Sequence, residues 1–343
     1  MALIIRELES KHESAWDDFV DMMPDGTFFH RAGWRQVIEQ SFGHRSYYVF
    51  AEQDGAIVGV LPLVHLRSLV FGSRLISAPF CVYGGPLASD IGIAQALTEY
   101  SLGLMQRTEA KLVEFRTREP GLQGSETRSD LYATFRRPIE RDPEKNLKAI
   151  PRKQRAVVRK GIQNRLKAEI TQDTDRFHRI YAESVRDLGT PVFSRRYFRA
   201  LMDRFRNCSE ILTVLDGGKP TSAVLSFFFR NEVLPYYGGG TPRARHLGAN
   251  DFMYWELMTR AADRGARLFD FGRSKIGTGS FAFKKNWGFE PEPLHYQYWL
   301  QPGREIPDHN PLNPKYRTMI AAWKRLPLPI ANIIGPAIVR GIG

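Results

Sequence analysis

The chain has 343 residues, of which 43% are hydrophobic and 12% aromatic, a composition typical of folded proteins with room for two domains. Its two cysteines, Cys81 and Cys208, are too few for a disulfide framework and lack metal-ligand spacing, so we expect no metal site and a reducing, cytoplasmic location. The first residues do not have a signal-peptide pattern, and no apolar run is long enough to predict a membrane-spanning helix. The net charge of +12 predicts an anionic partner.

Two hairpins are predicted at equivalent places in the two halves of the chain. Residues 46–67 turn at Asp54-Gly55, and residues 209–230 turn at Asp216-Gly217. Hydrophobic periodicity predicts two helices before each hairpin and one helix and one strand after it. In the first half these elements are 11–23, 32–41, 91–109 and 111–115; in the second they are 175–188, 195–206, 249–264 and 267–271. The repeated order predicts two copies of one mixed α/β unit, with a boundary within 140–152.

A basic segment lies at this boundary. Between Arg136 and Lys167 there are twelve Lys or Arg residues and three acidic residues. A helix is predicted from Pro151 onward, with Val158, Ile162 and Leu166 as its apolar stripe. The same spacing puts three arginines on another face, suited to bidentate phosphate contacts: Arg152, Arg155 and Arg159. A solvated basic face is the alternative. Residues 150–170 contain no aromatic side chain for base stacking, which counts against a nucleic-acid-binding protein and leaves DNA out of the expected partners.

The segment 236–250 combines tyrosines, glycines and a basic loop. Strand alternation predicts that one of Tyr236 and Tyr237 faces the core and the other a cleft, where we select Tyr237 as the candidate for ordering a substrate. Beyond the glycines, Arg245-His-Leu-Gly248-Ala-Asn250 approximates a loop that presents backbone N–H groups to a pyrophosphate at a helix N-terminus. We therefore expect Arg245, Gly248 and Asn250 to bind phosphate.

The stretch FDFGRSKIGTGSFAFKKNWGF, residues 269–289, is neither a Walker loop, nor a dinucleotide fingerprint that opens a long helix, nor a kinase motif with its partner loops. Asp270 ends a predicted strand and is a candidate base, although Glu114 at the equivalent place in the first copy favours a structural role. Arg273 and Lys275 bracket a polar crevice and are candidates for binding a diphosphate.

A short motif at the end of this stretch resembles the YxKxGF ending of GCN5-related N-acetyltransferases (GNAT): Phe283-Lys-Lys-Asn-Trp-Gly-Phe289. A GNAT-like unit that occurs twice, with this ending in the second copy, resembles the Fem family of peptidoglycan bridge-forming aminoacyltransferases. More specifically, the chain resembles the Fem-like proteins that accompany exosortase (PEP-CTERM) and exopolysaccharide gene clusters. The resemblance covers nearly the whole chain and is strongest in residues 236–300.

The resemblance implies an α/β fold of two tandem GNAT-like lobes and Phe283-Lys284 as a catalytic pair. We expect an extended segment in which Phe281 and Phe283 anchor one side and Lys284 faces the cleft, where its ammonium stabilises an oxyanion. Lys285 then points the other way and serves as the control. No tightly bound cofactor is expected; the donor is aminoacyl-tRNA by analogy, or an acyl-CoA if the pyrophosphate loop functions.

The resemblance implies an acyl- or aminoacyltransferase acting on an amine of a cell-envelope glycan or nucleotide-sugar precursor, with tRNA as a further partner. The alternatives are an acyl-CoA-dependent N-acyltransferase of an amino sugar in exopolysaccharide synthesis and a non-catalytic protein that binds an anion or a nucleic acid. The expected divisions are a first lobe at 1–148, a second lobe at 149–305 and a tail at 306–343. The tail is expected to dock on the second lobe, or to contact the inner membrane through Trp323, Lys324 and Arg325.

Overall fold

The computed structural model describes residues 2–68, 71–306 and 314–343. The first part of the chain forms, in order, β1 (Ile4–Glu7), α1 (Glu13–Met22), α2 (Gly33–Phe42), β2 (Arg45–Gln53), β3 (Ala56–Ser68), β4 (Gly72–Ser77), β5 (Leu87–Ala88), α3 (Ile91–Thr108), β6 (Leu112–Thr117) and β7 (Glu126–Arg128). Short 3-10 helices lie at Ser10–His12 and Phe28–His30, and a third follows at Arg206–Cys208.

The remainder of the chain contains more helix. It forms β8 (Tyr132–Pro138), α4 (Pro143–Ala149), α5 (Arg152–Gln163), β9 (Lys167–Thr171), α6 (Thr174–Leu188), α7 (Arg195–Arg204), β10 (Ser209–Asp216), β11 (Lys219–Phe229), β12 (Glu232–Gly240), α8 (Pro242–Leu247), α9 (Ala249–Asp263), β13 (Leu268–Asp270), β14 (Ser274–Lys275), α10 (Gly279–Asn286), β15 (Pro291–Pro293), β16 (His295–Leu300), α11 (Pro314–Lys324) and α12 (Leu328–Ile342).

Both predicted hairpins are confirmed, and each closes with two residues of positive φ. Asp54 and Gly55 have φ of 55° and 78°, and Gly217 and Gly218 have φ of 55° and 80°. This geometry suits the right-handed twist of the flanking strands, and glycine and aspartate adopt it at low cost. The second turn therefore lies one residue later than predicted.

The predicted helices around the hairpins are also confirmed, and side-chain caps fix where three of them begin. Asp90 accepts a hydrogen bond from the backbone N–H of Ile93 at the start of α3. Asp173 and Ser194 accept equivalent bonds at the starts of α6 and α7. Each cap satisfies an N–H group that has no partner within the helix.

The two sheets have the same strand order. The first runs β1-β2-β3-β4-β6-β16-β7, with β5 paired to β3; the second runs β9-β10-β11-β12-β13-β8-β14, with β15 paired to β8. In each, the fourth and fifth strands are parallel and the other pairs described are antiparallel. The predicted duplication is confirmed. The sixth strands are exchanged, because β16 from the end of the second copy completes the first sheet and β8 from the end of the first copy completes the second.

This exchange determines how the chain divides into units. Among the described residues, unit 1 comprises 2–132, 293–306 and 340–343, and unit 2 comprises 133–292 and 314–339. The division differs from the predicted 1–148, 149–305 and 306–343, because each exchanged strand packs with the sheet it joins rather than with its neighbours in sequence. Residues 307–313 of the predicted tail lie outside the described residues.

Unit 2 includes residues 314–339, which are most of the described tail. Helix α9 packs against β10–β12 and against α5, and α6 packs against β11 and β12. The tail residue Trp323 is buried and donates from its indole Nε1 to the carbonyl of Thr190 at 3.0 Å, and Arg186 donates to the carbonyl of Leu326 at 2.9 Å. The described part of the tail therefore docks on unit 2 up to residue 339. In the described chain, no helix is both long and apolar enough to cross a membrane.

Candidate active site

The two parallel strands of unit 2 separate at their carboxyl ends. They pair at Glu232–Leu268 and Val233–Phe269, after which β12 continues along β11 to Gly240 while β13 ends at Asp270. A bulge in the β11–β12 pairing leaves Tyr236 opposite no residue of β11. Ligands of α/β folds bind where the carboxyl ends of neighbouring strands diverge. This crevice is the candidate active site.

Lys284 lies beside the crevice, but its local structure differs from the prediction. Residues 279–286 form α10, whose first turn is capped by Thr278, so the expected extended segment is wrong. The alternation of Phe281 and Phe283 predicted a strand; the Thr278 cap indicates a helix start and outweighs it. Phe283 packs against Tyr254 and is half-buried within the core of unit 2. Lys285 is exposed on the outer side of the helix.

The Lys284 ammonium is buried and fully hydrogen-bonded. Its Nζ donates to the carbonyl oxygens of Phe271, Gly272 and Arg273 at 2.7, 2.9 and 3.0 Å, and the residue is 9% exposed. An ammonium has three N–H donors, so these bonds use all of them. Burial lowers the pKa of Lys284 to about 7, although the nearby Asp270 carboxylate favours the charged form. The side chain therefore holds the turn that follows β13.

Asp270 is held in an ion-pair network at the end of β13. It is 1% exposed, accepts from the backbone N–H of Gly272 at 2.7 Å, and lies 3.3 Å from Nε of Arg136. Arg136 also contacts Glu232 at 2.5 Å. Sequence reasoning missed the role of Arg136, which it counted only as part of the basic segment, because the residue is contributed by exchanged strand β8.

The two other basic candidates lie on the same turn. Arg273 is half-buried, and its carbonyl is one of those that Lys284 holds. Lys275 is 8% exposed in β14, and its carbonyl accepts from Thr278 Oγ1 at 2.7 Å. The structure therefore brings Asp270, Arg273, Lys275 and Lys284 together around residues 270–275.

The predicted pyrophosphate loop is a helix. Residues 242–247 form α8, and Gly248, with φ of 72°, joins it to α9. Gly248 packs so tightly on α5 that a Cβ at this position would lie 2.7 Å from the carbonyl oxygen of Val157. Asn250 is half-buried against Gly240, and Arg245 is exposed on α8. The open loop expected here is wrong, because α5 covers the start of α9.

A protein carboxylate fills the first turn of α9. Asp251 accepts hydrogen bonds from Gln154 Nε2 and from Trp287 Nε1, both at 2.9 Å. Burial raises the pKa of the Asp251 carboxyl, against these two bonds, which lower it. The first turn of the helix that was expected to hold a pyrophosphate thus carries a carboxyl group, which is bonded to Gln154 and Trp287. Sequence reasoning missed Asp251, whose partners are distant in the chain.

Tyr237 lies on the other face of the sheet, within an aromatic cluster. Its hydroxyl oxygen is 2.7 Å from that of Tyr197, and its ring packs edge-on against Tyr181 and Phe198. Burial, with the neighbouring tyrosines, raises the pKa of Tyr237 well above its ordinary value. Of the two tyrosines, Tyr237 is the buried one and Tyr236 is half-exposed.

The three arginines of α5 share one surface groove. Arg152, Arg155 and Arg159 line a groove of about 490 Å³ together with Ala156 and Gln163. The predicted common face is confirmed. The expected apolar stripe holds in part: Val158 and Leu166 are buried, whereas Ile162 is 42% exposed.

Comparisons with known proteins agree with this architecture. Residues 144–285 match the family model described as an acetyltransferase (GNAT) domain. The chain is similar to the crystal structure of FemX, with a TM-score of 0.65 and 14% identity over 86% of this chain and 96% of that one. It is similar to L-PGS from Bacillus licheniformis, with a TM-score of 0.54 and 12% identity over 97% and 98% of the two chains. A tandem GNAT protein from the clavulanic acid biosynthesis pathway gives a TM-score of 0.53 and 15% identity over 88% and 100%.

No curated protein matches the chain by sequence. The structural similarities, with the two sheets of equal strand order, confirm the predicted fold of two tandem GNAT-like lobes. The prediction of an acyltransferase is confirmed at the level of the GNAT acetyltransferase domain that residues 144–285 match.

Proposed function

We propose that this chain transfers an aminoacyl group from aminoacyl-tRNA to an amine of a cell-envelope glycan or nucleotide-sugar precursor, and that the reaction takes place in unit 2. The observation that carries the proposal is the separation of β12 and β13 beside the turn that Lys284 holds. The Fem-like motif at 283–289 and the similarity of fold to FemX favour this class of donor and acceptor over other GNAT substrates.

The structure of the α9 N-terminus favours aminoacyl-tRNA over acyl-CoA. The diphosphate of an acyl-CoA needs free N–H groups at a helix N-terminus. Here Asp251 accepts bonds from Gln154 and Trp287 in the first turn, and Val157 of α5 packs against Gly248. A diphosphate at this place meets a carboxyl group and a neighbouring helix, so we expect the donor phosphates to bind elsewhere.

The arginine face of α5 is the proposed contact for donor phosphates. Arg152, Arg155 and Arg159 line one groove, and guanidinium groups suit phosphate oxygens because they donate in pairs. Lys153 and Lys160 are exposed on another flank of the same helix and offer a control that removes two of its other positive charges.

The chemistry needs no nucleophile from the protein. The acceptor amine attacks the ester carbonyl carbon; the new N–C bond forms, the C–O bond to the terminal ribose breaks, and the amine proton ends on the leaving ribose oxygen. In the transition state the carbonyl oxygen becomes negative, and backbone N–H groups at the Tyr236 bulge are the proposed donors to it. Lys284 positions the turn that faces them and does not itself donate, because its three N–H groups are occupied.

The tail supports a position at an anionic membrane surface. On α12, Ala331, Gly335 and Val339 are buried, whereas Ile333 and Ile334 are 77% and 43% exposed. Residues 314–343 contain five Lys or Arg and no acidic residue. An exposed apolar face on a segment rich in basic residues suits the surface of a membrane with anionic lipids.

The direct test of the proposed function is label transfer. Purified protein is incubated with tRNA charged with radiolabelled amino acids, or with labelled acetyl-CoA, in the presence of a uridine-diphosphate-linked muramyl peptide. We expect label on the acceptor from aminoacyl-tRNA. Acetyl transfer instead contradicts the donor, and transfer from neither donor to a panel of amino-sugar acceptors contradicts the function.

The α5 contact is tested by changing Arg152, Arg155 and Arg159 together to Gln. We expect about a 10-fold or greater loss of tRNA affinity and a flatter dependence of that affinity on salt, since fewer phosphates are neutralised. Lys153→Gln combined with Lys160→Gln is the control. Equal losses of binding free energy per charge removed in the two variants mean that the helix contributes only a diffuse charge.

A further inference from the structure

A groove in unit 1 collects positive charge far in sequence from the candidate active site. It has a volume of about 410 Å³, and four arginines line it: Arg45, Arg67, Arg107 and Arg340. They come from four different elements, the start of β2, the end of β3, the last turn of α3 and the end of α12. All four are exposed, so they form the rim of the groove.

The arginines of this groove lack the counter-ions that other arginines of unit 1 have. Arg31 is 2.7 Å from Asp21, and buried Arg116 is 2.7 Å from Glu114. None of the groove's lining residues is acidic, and within the described chain no carboxylate forms an ion pair with any of the four rim arginines. Four like charges around one concavity repel one another, and a bound anion relieves this repulsion.

Aromatic rings and backbone groups set the shape of the groove. The Arg45 guanidinium lies over the ring of Tyr47 at 4.8 Å, and that of Arg107 over the ring of Tyr100 at 5.3 Å. Such stacking holds a guanidinium in place while its N–H groups stay available at the edge. Part of the entropy cost of binding is therefore already met in the folded protein.

Two buried histidines form the floor. His44 Nε2 donates to the carbonyl of Arg340 at 2.8 Å, and His65 Nε2 is 2.7 Å from Ser73 Oγ. Burial lowers the pKa of both, and neither can supply negative charge to the groove. In the β3–β4 register, Arg67 is opposite Ser73 at the amino end of β4. The groove therefore lies at the amino ends of β4 and β6, whereas the crevice lies at the carboxyl ends of the equivalent strands.

We propose that this groove binds a phosphate or diphosphate group of an anionic ligand, as a site separate from the candidate active site. The volume is within the range of small-ligand pockets, and several guanidinium groups on one concave surface match the oxygens of a diphosphate. The same chemistry is offered by a soluble diphosphate and by a phospholipid headgroup. A single compact groove favours such a group over an RNA backbone, which needs an extended basic surface.

The experiment uses inorganic pyrophosphate as the probe and isothermal titration calorimetry on the full chain. Arg45→Gln combined with Arg67→Gln is compared with Arg304→Gln, an exposed arginine of the same unit outside the groove. We expect the double variant to bind pyrophosphate at least 10-fold more weakly and the Arg304 variant to match the unaltered protein. Absent binding, or an equal loss in both variants, overturns the proposal.

Vesicle sedimentation distinguishes the two sources of the phosphate. Vesicles of phosphatidylcholine with phosphatidylglycerol are compared with phosphatidylcholine alone, with and without pyrophosphate. Pyrophosphate-sensitive binding that the double variant loses and Ile333→Ser retains supports a headgroup ligand, while calorimetric binding without this effect supports a soluble diphosphate. Binding of an RNA oligonucleotide that depends on Arg45 and Arg67 when pyrophosphate does not bind overturns the proposal.

Discussion

Units 1 and 2 share a strand order and differ at the carboxyl ends of their parallel strands. In unit 1, the chain leaves β4 at Ser77, and the segment that follows donates from Gly84 N to the carbonyl of Arg116 at 2.7 Å. In unit 2, the equivalent carbonyl is that of Gly272, which accepts from Lys284 Nζ at 2.9 Å. In unit 1 this carbonyl therefore accepts a hydrogen bond from a nearby backbone N–H, and in unit 2 it accepts one from a side chain of helix α10.

This difference favours unit 2 over unit 1 as the location of the candidate site. Residues 80–83 of unit 1 are all buried, and Ala78 and Phe80 have positive φ of 45° and 66°, which non-glycine residues rarely adopt. Unit 1 therefore fills its own crevice. In unit 2, β12 continues as a strand over the equivalent residues, and a turn held by an ionisable group faces it. The two units therefore share one architecture, and the open crevice that forms the candidate site is in unit 2.

The largest expected effect tests the strand exchange that underlies this comparison. Trp299 of β16 packs on Phe115 at 4.9 Å, and Phe135 of β8 packs on Phe281 at 5.3 Å. We expect Trp299→Ala and Phe135→Ala each to reduce the free energy of unfolding by about 3–5 kcal/mol, because large buried rings leave cavities.

Hydrogen exchange locates the damage. Trp299→Ala is expected to expose amides of β2–β6 in unit 1, although the residue is near the end of the chain, and Phe135→Ala to expose those of β10–β13 in unit 2. Loss of protection in the half of the chain adjacent in sequence contradicts the exchange.

The helices and hairpins could be predicted from the sequence, but the exchange of strands β8 and β16 between the two sheets could not. The helix expected at 249–264 is Ala249–Asp263, because its periodicity and the hairpin before it are local signals. Which sheet β8 or β16 joins depends on pairings between residues far apart, such as Asp270 with Arg136, and no local pattern encodes them. The Asp251 contacts with Gln154 and Trp287 were missed for the same reason. Around Lys284, the alternation of Phe281 and Phe283 predicted a strand, whereas residues 279–286 form a helix.

The second prediction compares the equivalent acids Glu114 and Asp270. Burial alone disfavours a charged guanidinium at Arg116, but Glu114 at 2.7 Å raises its pKa above the ordinary value. Glu114→Gln leaves that cation without its carboxylate, and we expect a loss of about 3 kcal/mol in the free energy of unfolding. Asp270→Asn leaves Arg136 with Glu232, so its cost in stability is expected to be smaller.

Chemical denaturation and label transfer separate the two roles. Glu114→Gln is expected to retain the activity per folded molecule, and Asp270→Asn to reduce it, since only Asp270 is next to the turn that Lys284 holds. Equal activity in both variants assigns Asp270 a structural role alone.

The third prediction concerns Lys284 and its neighbour Lys285. Lys284→Met removes the donor to three carbonyls, so the turn 271–273 loses its fixed position; we expect turnover to fall by about 10²-fold. Lys285→Met, on the exposed side of α10, is expected to change turnover less than about twofold. Calorimetric affinity for the acceptor separates positioning from binding, and a large loss in Lys285→Met contradicts the assignment.

The smallest expected effect is a dependence of the unfolding free energy on pH, which arises from Lys284 in unit 2. Unit 1 has a backbone N–H in the equivalent place, which does not titrate. Burial lowers the pKa of Lys284 to about 7 from an ordinary value of 10.5. Between these values the unfolded chain binds more protons than the folded one, so stability rises with pH, by about 1 kcal/mol per pH unit, and levels off below pH 7. The measurement is the difference in unfolding free energy between the unaltered protein and Lys284→Met from pH 6 to 9, in which other titrating groups cancel. We expect a flat difference below about pH 7 and a rise in favour of the unaltered protein above it. A difference that stays flat to pH 9 contradicts the lowered pKa. It means that the three carbonyl oxygens and Asp270 keep the ammonium charged, so that its hydrogen bonds to the turn, like the Gly84–Arg116 backbone bond of unit 1, do not change with pH in this range.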